Sequence, residues 1–237
     1  MRWIPDRSGR FTRRPYYELS ELDRRCEGIV SSFLRRKYQR VEYPMSTNDL
    51  IILVEQHVED LDLYADLSNE GHSVEGVTEF VSGRKPKVRI ACELQDPKRE
   101  NRLRSTLAHE LGHSVFHNGL DVYLRNPKFT NSPDNRMSYC HLPRDSGQSR
   151  VDWMEWQAAY ASGAFLMPFT SLRRIAHKFL SDTGLISSPV LGSLESVWLI
   201  SRVQKAFQVS TDAARVRLLQ VDFLYERTAS EPRRRIS

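Results

Sequence analysis

Residues 106–117 read Thr-Leu-Ala-His-Glu-Leu-Gly-His-Ser-Val-Phe-His and contain the pattern His-Glu-x-x-His at His109, Glu110 and His113. Residues four apart on a helix lie on one face, so both imidazoles can reach one metal ion. Zn²⁺ binds histidine nitrogen at about 2.0–2.1 Å. Glu110 is rotated by about 100° from His109, so it flanks the ion and can take a proton from a bound water. The pattern predicts one Zn²⁺ per chain, with Glu110 as the catalytic base.

The flanks of this pattern favour a helix over residues 102–117. An apolar stripe runs along the side away from the histidines and is formed by Leu103, Leu107 and Leu111. Gly112 costs about 1 kcal/mol relative to alanine inside a helix, which predicts that another element packs closely there. His117 lies four residues after His113, but at the helix end it fits an interaction with the last carbonyls, or the orientation of a neighbour, better than a ligand role.

A catalytic zinc site has three protein ligands and one open position. Glu155 begins a second helix, predicted from Trp153 to about Leu166, whose small side chains let it approach the first helix. The same glutamate also fits an N-terminal cap formed with Asp152, and the spacing alone does not choose between the two roles. Asp152 itself and Asp145 are weaker alternative ligands.

The rest of the chain predicts both helices and strands. Helical spacing occurs over residues 17–39, 46–57, 194–207 and 211–219. Segments 76–81 and 87–91 are strand-like and flank a five-residue turn, which predicts a hairpin. Residues 120–150 are polar and without clear periodicity, which predicts a long loop. The fold class predicted is α+β, with helices packed on a small, mainly antiparallel sheet.

Composition excludes several classes of protein. The chain has 237 residues, of which 40% are apolar and 27% charged, as in globular domains. The net charge of +5 is concentrated at the two ends, which we interpret as solvated basic termini, with weak attraction to nucleic acid as the alternative. No apolar run approaches the ~20 residues of a membrane helix, and the first residues hold no signal-peptide core. We therefore expect a cytoplasmic protein that does not enter membranes.

Three motifs together resemble the ImmA/IrrE family of metallopeptidases. They are Thr106–His113, Met154-Glu155-Trp156-Gln157-Ala158 and Phe165-Leu166-Met167-Pro168. That family couples an AHELGH helix to a later helix of the type E-x-Q-A-N-x-F-A-x-x-L-L-M-P, and the resemblance covers about residues 45–220. It implies that Glu155 is the third zinc ligand and Glu110 the catalytic base. It also implies a regulatory protease that cleaves a helix-turn-helix transcriptional repressor, often in mobile elements or stress responses.

The composition of the two ends, together with the resemblance, predicts the organisation of the chain. We expect an extended basic N-terminus over residues 1–16 and a zincin-like metallopeptidase domain over residues 17–170. A helical, helix-turn-helix-like C-terminal subdomain would follow over residues 171–225, with a basic tail over residues 226–237.

Further site residues are proposed on weaker grounds. Candidates for the donor that stabilises the transition state are Tyr139, His141 and Tyr160. The segment Val88-Arg89-Ile90 is a candidate for pairing with an extended substrate by strand addition, although an ordinary place in the sheet fits it equally well.

Two other functions stay open at this point. The chain could be a non-proteolytic, zinc-containing regulator that sequesters a repressor or toxin. It could also bind DNA through the C-terminal helices, on which Arg215 and Arg217 lie. The intact Glu110 favours the peptidase, because a purely structural zinc site needs no base and usually has four protein ligands.

Overall fold

A computed structural model describes residues 1–8, 10–71, 73–120 and 152–226, together with the backbone of residues 136–140. The chain divides into two compact units, Met1–Leu166 and Met167–Ser237. The first unit contains helices and strands, which confirms the α+β class, and the described part of the second is helical. Within the described residues, every helix is too short or too polar to cross a membrane.

The N-terminal segment is a folded hairpin. Strands β1 (Arg2–Pro5) and β2 (Arg13–Tyr16) pair antiparallel, with Trp3 opposite Pro15. Phe11, between the strands, is 2% exposed and packs edge-to-face on Trp153 with ring centroids 6.1 Å apart. Residues 1–16 are therefore not a loose end, because an aromatic anchor holds the segment on the core, although several of its arginines are exposed to solvent as expected.

A four-stranded sheet forms the β part of the first unit. Its strands are β3 (Asp60–Ala65), β4 (Gly76–Val81), β5 (Lys87–Ala91) and β6 (Arg136–Cys140). Their order is β3-β5-β4-β6, with β3 parallel to β5 and the other two pairs antiparallel. The predicted hairpin of β4 and β5 is confirmed. The predicted loop over residues 120–150 is wrong at β6, and most of its remainder lies outside the described residues.

The place of β5 in the sheet also corrects a site prediction. Val88, Arg89 and Ile90 lie on a strand that has β3 on one side and β4 on the other. Both of its edges are already paired, so β5 offers no free edge for strand addition. Val88 and Ile90 are fully buried and belong to the core.

Four helices complete the described part of the first unit: α1 (Leu19–Tyr38), α2 (Thr47–Glu55), α3 (Glu100–Phe116) and α4 (Trp153–Leu166). Ser46 caps α2 as predicted, because its hydroxyl accepts the backbone N–H of Asp49 at 3.1 Å. Two short 3₁₀ turns, Cys92–Gln95 and Pro97–Arg99, lead from β5 into α3. The apolar stripe predicted on α3 accounts for only part of the burial of this helix, because residues 106–114 are all buried.

Helices α3 and α4 touch at the backbone. A Cβ added to Gly112 would lie 3.0 Å from Cα of Ala158, 3.1 Å from its carbonyl oxygen and 3.3 Å from Cβ of Ala161. The close approach predicted from Gly112 is therefore present. It lets the two helices bury each other along their middle turns.

The second unit contains α5 (Phe169–Thr183), α6 (Leu194–Phe207) and α7 (Thr211–Gln220). Serines 193 and 210 cap α6 and α7 through their hydroxyls. On α7, Arg217 is fully buried and its Nε donates to the carbonyl oxygen of Met167 at 3.4 Å. Because Arg217 is buried, it cannot contact DNA, and of the two predicted arginines only Arg215 remains a candidate for such a contact.

The contact of α3 with α4 predicts opposite effects for two helical glycines. Gly112→Ala should lower the free energy of unfolding, because overpacking of about 1–3 kcal/mol exceeds the gain in helix propensity of about 1 kcal/mol. Gly28 lies inside α1 with nothing within 4 Å of an added Cβ, so Gly28→Ala should raise it by about 0.5–1 kcal/mol. Urea unfolding of both variants measures the difference, and equal stability of Gly112→Ala and wild type would contradict the packing.

Candidate metal centre

Helix α3 places the two histidines of the pattern side by side. The Nε2 atoms of His109 and His113 are 3.0 Å apart, and both side chains are buried. Buried imidazole nitrogens are costly unless each has a partner. Here both nitrogens point to one place, where each can offer a lone pair to the same ion.

Helix α4 brings a carboxylate to the same place. Oε2 of Glu155 lies 3.2 Å from Nε2 of His109, and Oε1 lies 3.2 Å from Nε2 of His113. The capping role falls to Asp152, whose Oδ1 accepts the backbone N–H of Met154 at 2.9 Å and also binds Arg10. Sequence spacing left these two roles of Glu155 open, and the geometry places it with the histidines. Asp145 lies outside the described residues.

The three side chains fit a metal ion. Their donor atoms are separated by 3.0 and 3.2 Å, close to the ~3.3 Å between donors of a tetrahedral zinc site with bonds of about 2.0–2.1 Å. Two imidazoles and one carboxylate also match the three-ligand sets of catalytic zinc. The side chain of Glu155 is 26% exposed, which leaves the place open to solvent on one side.

Glu110 is held against the sheet and not among the donor atoms. It is fully buried, and its Oε2 accepts the hydroxyl of Thr78 on β4 at 2.5 Å. Its Oε1 lies over Gly76, where an added Cβ would come within 2.5 Å of it. Sequence reasoning missed both β4 residues, although a glycine and a threonine two positions apart in a strand share one face and can mark a close contact.

His117 stands behind His113 and away from the donor atoms. Its Nδ1 is 3.0 Å from Nδ1 of His113, and its Nε2 is 3.1 Å from Oε1 of Gln157. Burial lowers the pKa of His113, but the hydrogen bond and charge of Glu155 outweigh it and raise that pKa above its ordinary value. Burial, helped by the charge of His113, holds the pKa of His117 well below the ordinary value. The preference for an orienting role of His117 over a ligand role agrees with this geometry.

Of the three predicted transition-state donors, only Tyr160 has a described side chain, and its hydroxyl is bonded away from this centre. The hydroxyl of Tyr160 donates to Oδ2 of Asp23 on α1 at 3.0 Å, and Tyr160 lies about 140° around α4 from Glu155. This hydrogen bond joins α4 to α1, so the hydroxyl of Tyr160 serves the packing of these two helices. Tyr139 pairs in register with Thr78, but its side chain is outside the described residues, as is all of His141.

Comparison with models of known protein families identifies a match. The model of a family described as the IrrE N-terminal-like domain matches residues 93–219. No curated protein matches the chain. The matched segment begins in the turn before α3 and ends in α7, so it contains all three donor residues and Glu110. The β4 residues Gly76 and Thr78, which contact Glu110, precede it.

The donor geometry predicts the metal content of two matched variants. Wild-type protein supplied with Zn²⁺ should hold about one ion per chain. Glu155→Ala should hold far less while keeping its helical circular dichroism, because two imidazoles alone bind zinc weakly. Asp152→Asn should keep the full amount, because asparagine preserves the helix cap. Elemental analysis measures the zinc content. Loss of zinc in Asp152→Asn together with its retention in Glu155→Ala would show that Asp152 is the ligand and Glu155 the helix cap.

Proposed function

Because the chain belongs to the peptidase family of the IrrE N-terminal-like domain, whose members depend on a metal, we propose that it is a zinc-dependent endopeptidase. The substrate is a regulatory protein, namely a helix-turn-helix transcriptional repressor or a similar partner. The convergence of His109, His113 and Glu155 beside a buried Glu110 carries the enzymatic part of the proposal. The substrate class rests on the family resemblance.

Each residue of the centre has a separate task. His109 and His113, through Nε2, and Glu155, through its carboxylate, would hold the ion. When bound, Zn²⁺ lowers the pKa of a coordinated water to about 7 and polarises the scissile carbonyl. Glu110 takes a proton from the attacking water, while the hydroxyl of Thr78 donates to its Oε2 and holds the carboxylate in place. It then delivers that proton to the leaving amine nitrogen, so the peptide is cut into a carboxylic acid and an amine, which ionise to carboxylate and ammonium, and Glu110 is regenerated.

The described part of the sheet ends near this base. Among the described strands, β3 and β6 form the edges, and β6 pairs with β4, the strand that holds Glu110. An extended substrate that adds to the outer edge of β6 would run along the side of the sheet nearer to the base. We therefore propose that an extended substrate adds to β6 and not to β5.

The mechanism predicts that Glu110→Gln abolishes cleavage without loss of zinc. Glutamine fits the same space but cannot accept the proton, so the rate should fall by at least about 10²-fold. The zinc-loaded proteins are incubated with a proteome-derived peptide library and then with a panel of purified helix-turn-helix repressors, and new termini are counted by mass spectrometry. Glu100→Gln, the same change in the first turn of α3, is the matched control and should cut like wild type.

Two results would contradict this proposal in different ways. Full activity of Glu110→Gln would remove Glu110 from the base role. Tight binding of a repressor by zinc-loaded wild type without any cut would favour the non-proteolytic, sequestering regulator.

The bond from Thr78 to Glu110 predicts a second kinetic effect. Thr78→Val keeps the volume of the side chain but removes the hydroxyl that orients the carboxylate, an interaction worth about 1.5–3 kcal/mol. We expect kcat to fall roughly 10–100-fold, with KM and zinc content near those of wild type. Thr78→Ser retains the hydroxyl and should recover most of kcat. A wild-type kcat in Thr78→Val would show that Thr78 only fills space.

A further inference from the structure

A line of buried hydrogen bonds leads from the metal centre to the N-terminal hairpin. Nδ1 of His113 faces Nδ1 of His117 at 3.0 Å, and Nε2 of His117 faces Oε1 of Gln157 at 3.1 Å. Nε2 of Gln157 then donates to the carbonyl oxygen of Pro15 on β2 at 3.1 Å. The three side chains on this line are each at most 2% exposed, so water does not compete for their polar atoms.

The carbonyl oxygen of Pro15 determines which atom donates and which atom accepts in each of these hydrogen bonds. The oxygen of Pro15 can only accept, so the amide nitrogen of Gln157 must face it and the amide oxygen must face His117. That oxygen in turn requires an N–H at Nε2 of His117. A neutral imidazole carries one N–H and one lone pair, so Nδ1 of His117 accepts. The partner atom, Nδ1 of His113, must then carry the proton.

The consequence reaches the metal side of His113. With its proton on Nδ1, the neutral ring has its lone pair on Nε2, the atom that lies 3.0 Å from Nε2 of His109 and 3.2 Å from Glu155. The opposite tautomer would present an N–H to the ion and could not bind it. The line of hydrogen bonds therefore selects the one neutral form of His113 that is a ligand.

We propose that His117 and Gln157 are positioning residues that set the tautomer of His113 for metal binding, with the Pro15 carbonyl as the fixed end of the line. The proposal rests on the zinc site put forward above and not on peptidase activity. Pro15 precedes the segment that the family model matches. In this proposal, the N-terminal hairpin contributes to the metal centre through the Pro15 carbonyl, which accepts the hydrogen bond of Gln157.

Zinc affinity of the full chain tests the proposal through matched variants. His117→Phe keeps a ring against Trp153 but removes both nitrogens, and we expect zinc binding to weaken about 10–100-fold in competition with a chelator. Gln157→Leu should act in the same direction. His117→Asn, whose side-chain oxygen replaces Nδ1 as acceptor, should recover much of the affinity. Tyr160→Phe, which breaks a buried hydrogen bond of α4 outside the line, should bind zinc like wild type.

Histidine ¹⁵N spectra of the zinc-loaded wild type test the proton positions without any substitution. We expect His113 to carry its proton on Nδ1 and His117 on Nε2. A proton on Nδ1 of His117, or unchanged zinc affinity in folded His117→Phe, would overturn the proposal while leaving the zinc site intact. A wild type that binds no zinc would overturn the site and the line together.

Discussion

Helices α3 and α4 can approach at backbone distance because Gly112 has no side chain and the facing Ala158 and Ala161 have small ones. Gly112 is adjacent to His113, and Ala158 lies one turn after Glu155. The packing that buries α3 is therefore the same packing that sets the distance between the imidazoles and the carboxylate. A larger side chain at this contact would move a ligand as well as loosen the core.

Successive residues of a helix are rotated by about 100°, so neighbouring side chains of α3 face different elements. This rotation turns the two histidines toward α4 and turns Glu110 toward β4. The two glutamates thereby receive different surroundings: Glu155 is partly exposed beside two nitrogens, whereas Glu110 is fully buried against Thr78. Because separate elements hold them, two chemically identical side chains can take the different roles proposed for them, ligand for Glu155 and base for Glu110.

Local sequence signals predicted much of this structure. The bounds of α4 and α6, the cap at Ser46 and the hairpin of β4 and β5 follow from periodicity, capping and turn residues that act within a few positions. The pair of histidines and the base follow from spacing on one helix. Glu155 needed the family resemblance, because its spacing fits a cap as well as a ligand.

The missed features all depend on partners distant in the chain. Strand β6 has weak alternation and is defined by its pairing with β4, more than fifty residues earlier. The N-terminal hairpin reads as a basic, solvated end until Phe11 is seen against Trp153. Thr78 lies in no motif, and Gln157 lies in one that gives it no partner, so only the tertiary structure places them beside Glu110 and His117.

The bond between Gln157 and Pro15 joins residues 142 positions apart, which has a consequence for synthesis on the ribosome. At 5–20 residues per second, roughly 7 to 28 seconds separate the translation of these two residues. The hydrogen bond from Gln157 to Pro15, and with it the connection between the N-terminal hairpin and His117, therefore forms only late in the synthesis of the first unit, after the strands and helices that precede α4 have been translated.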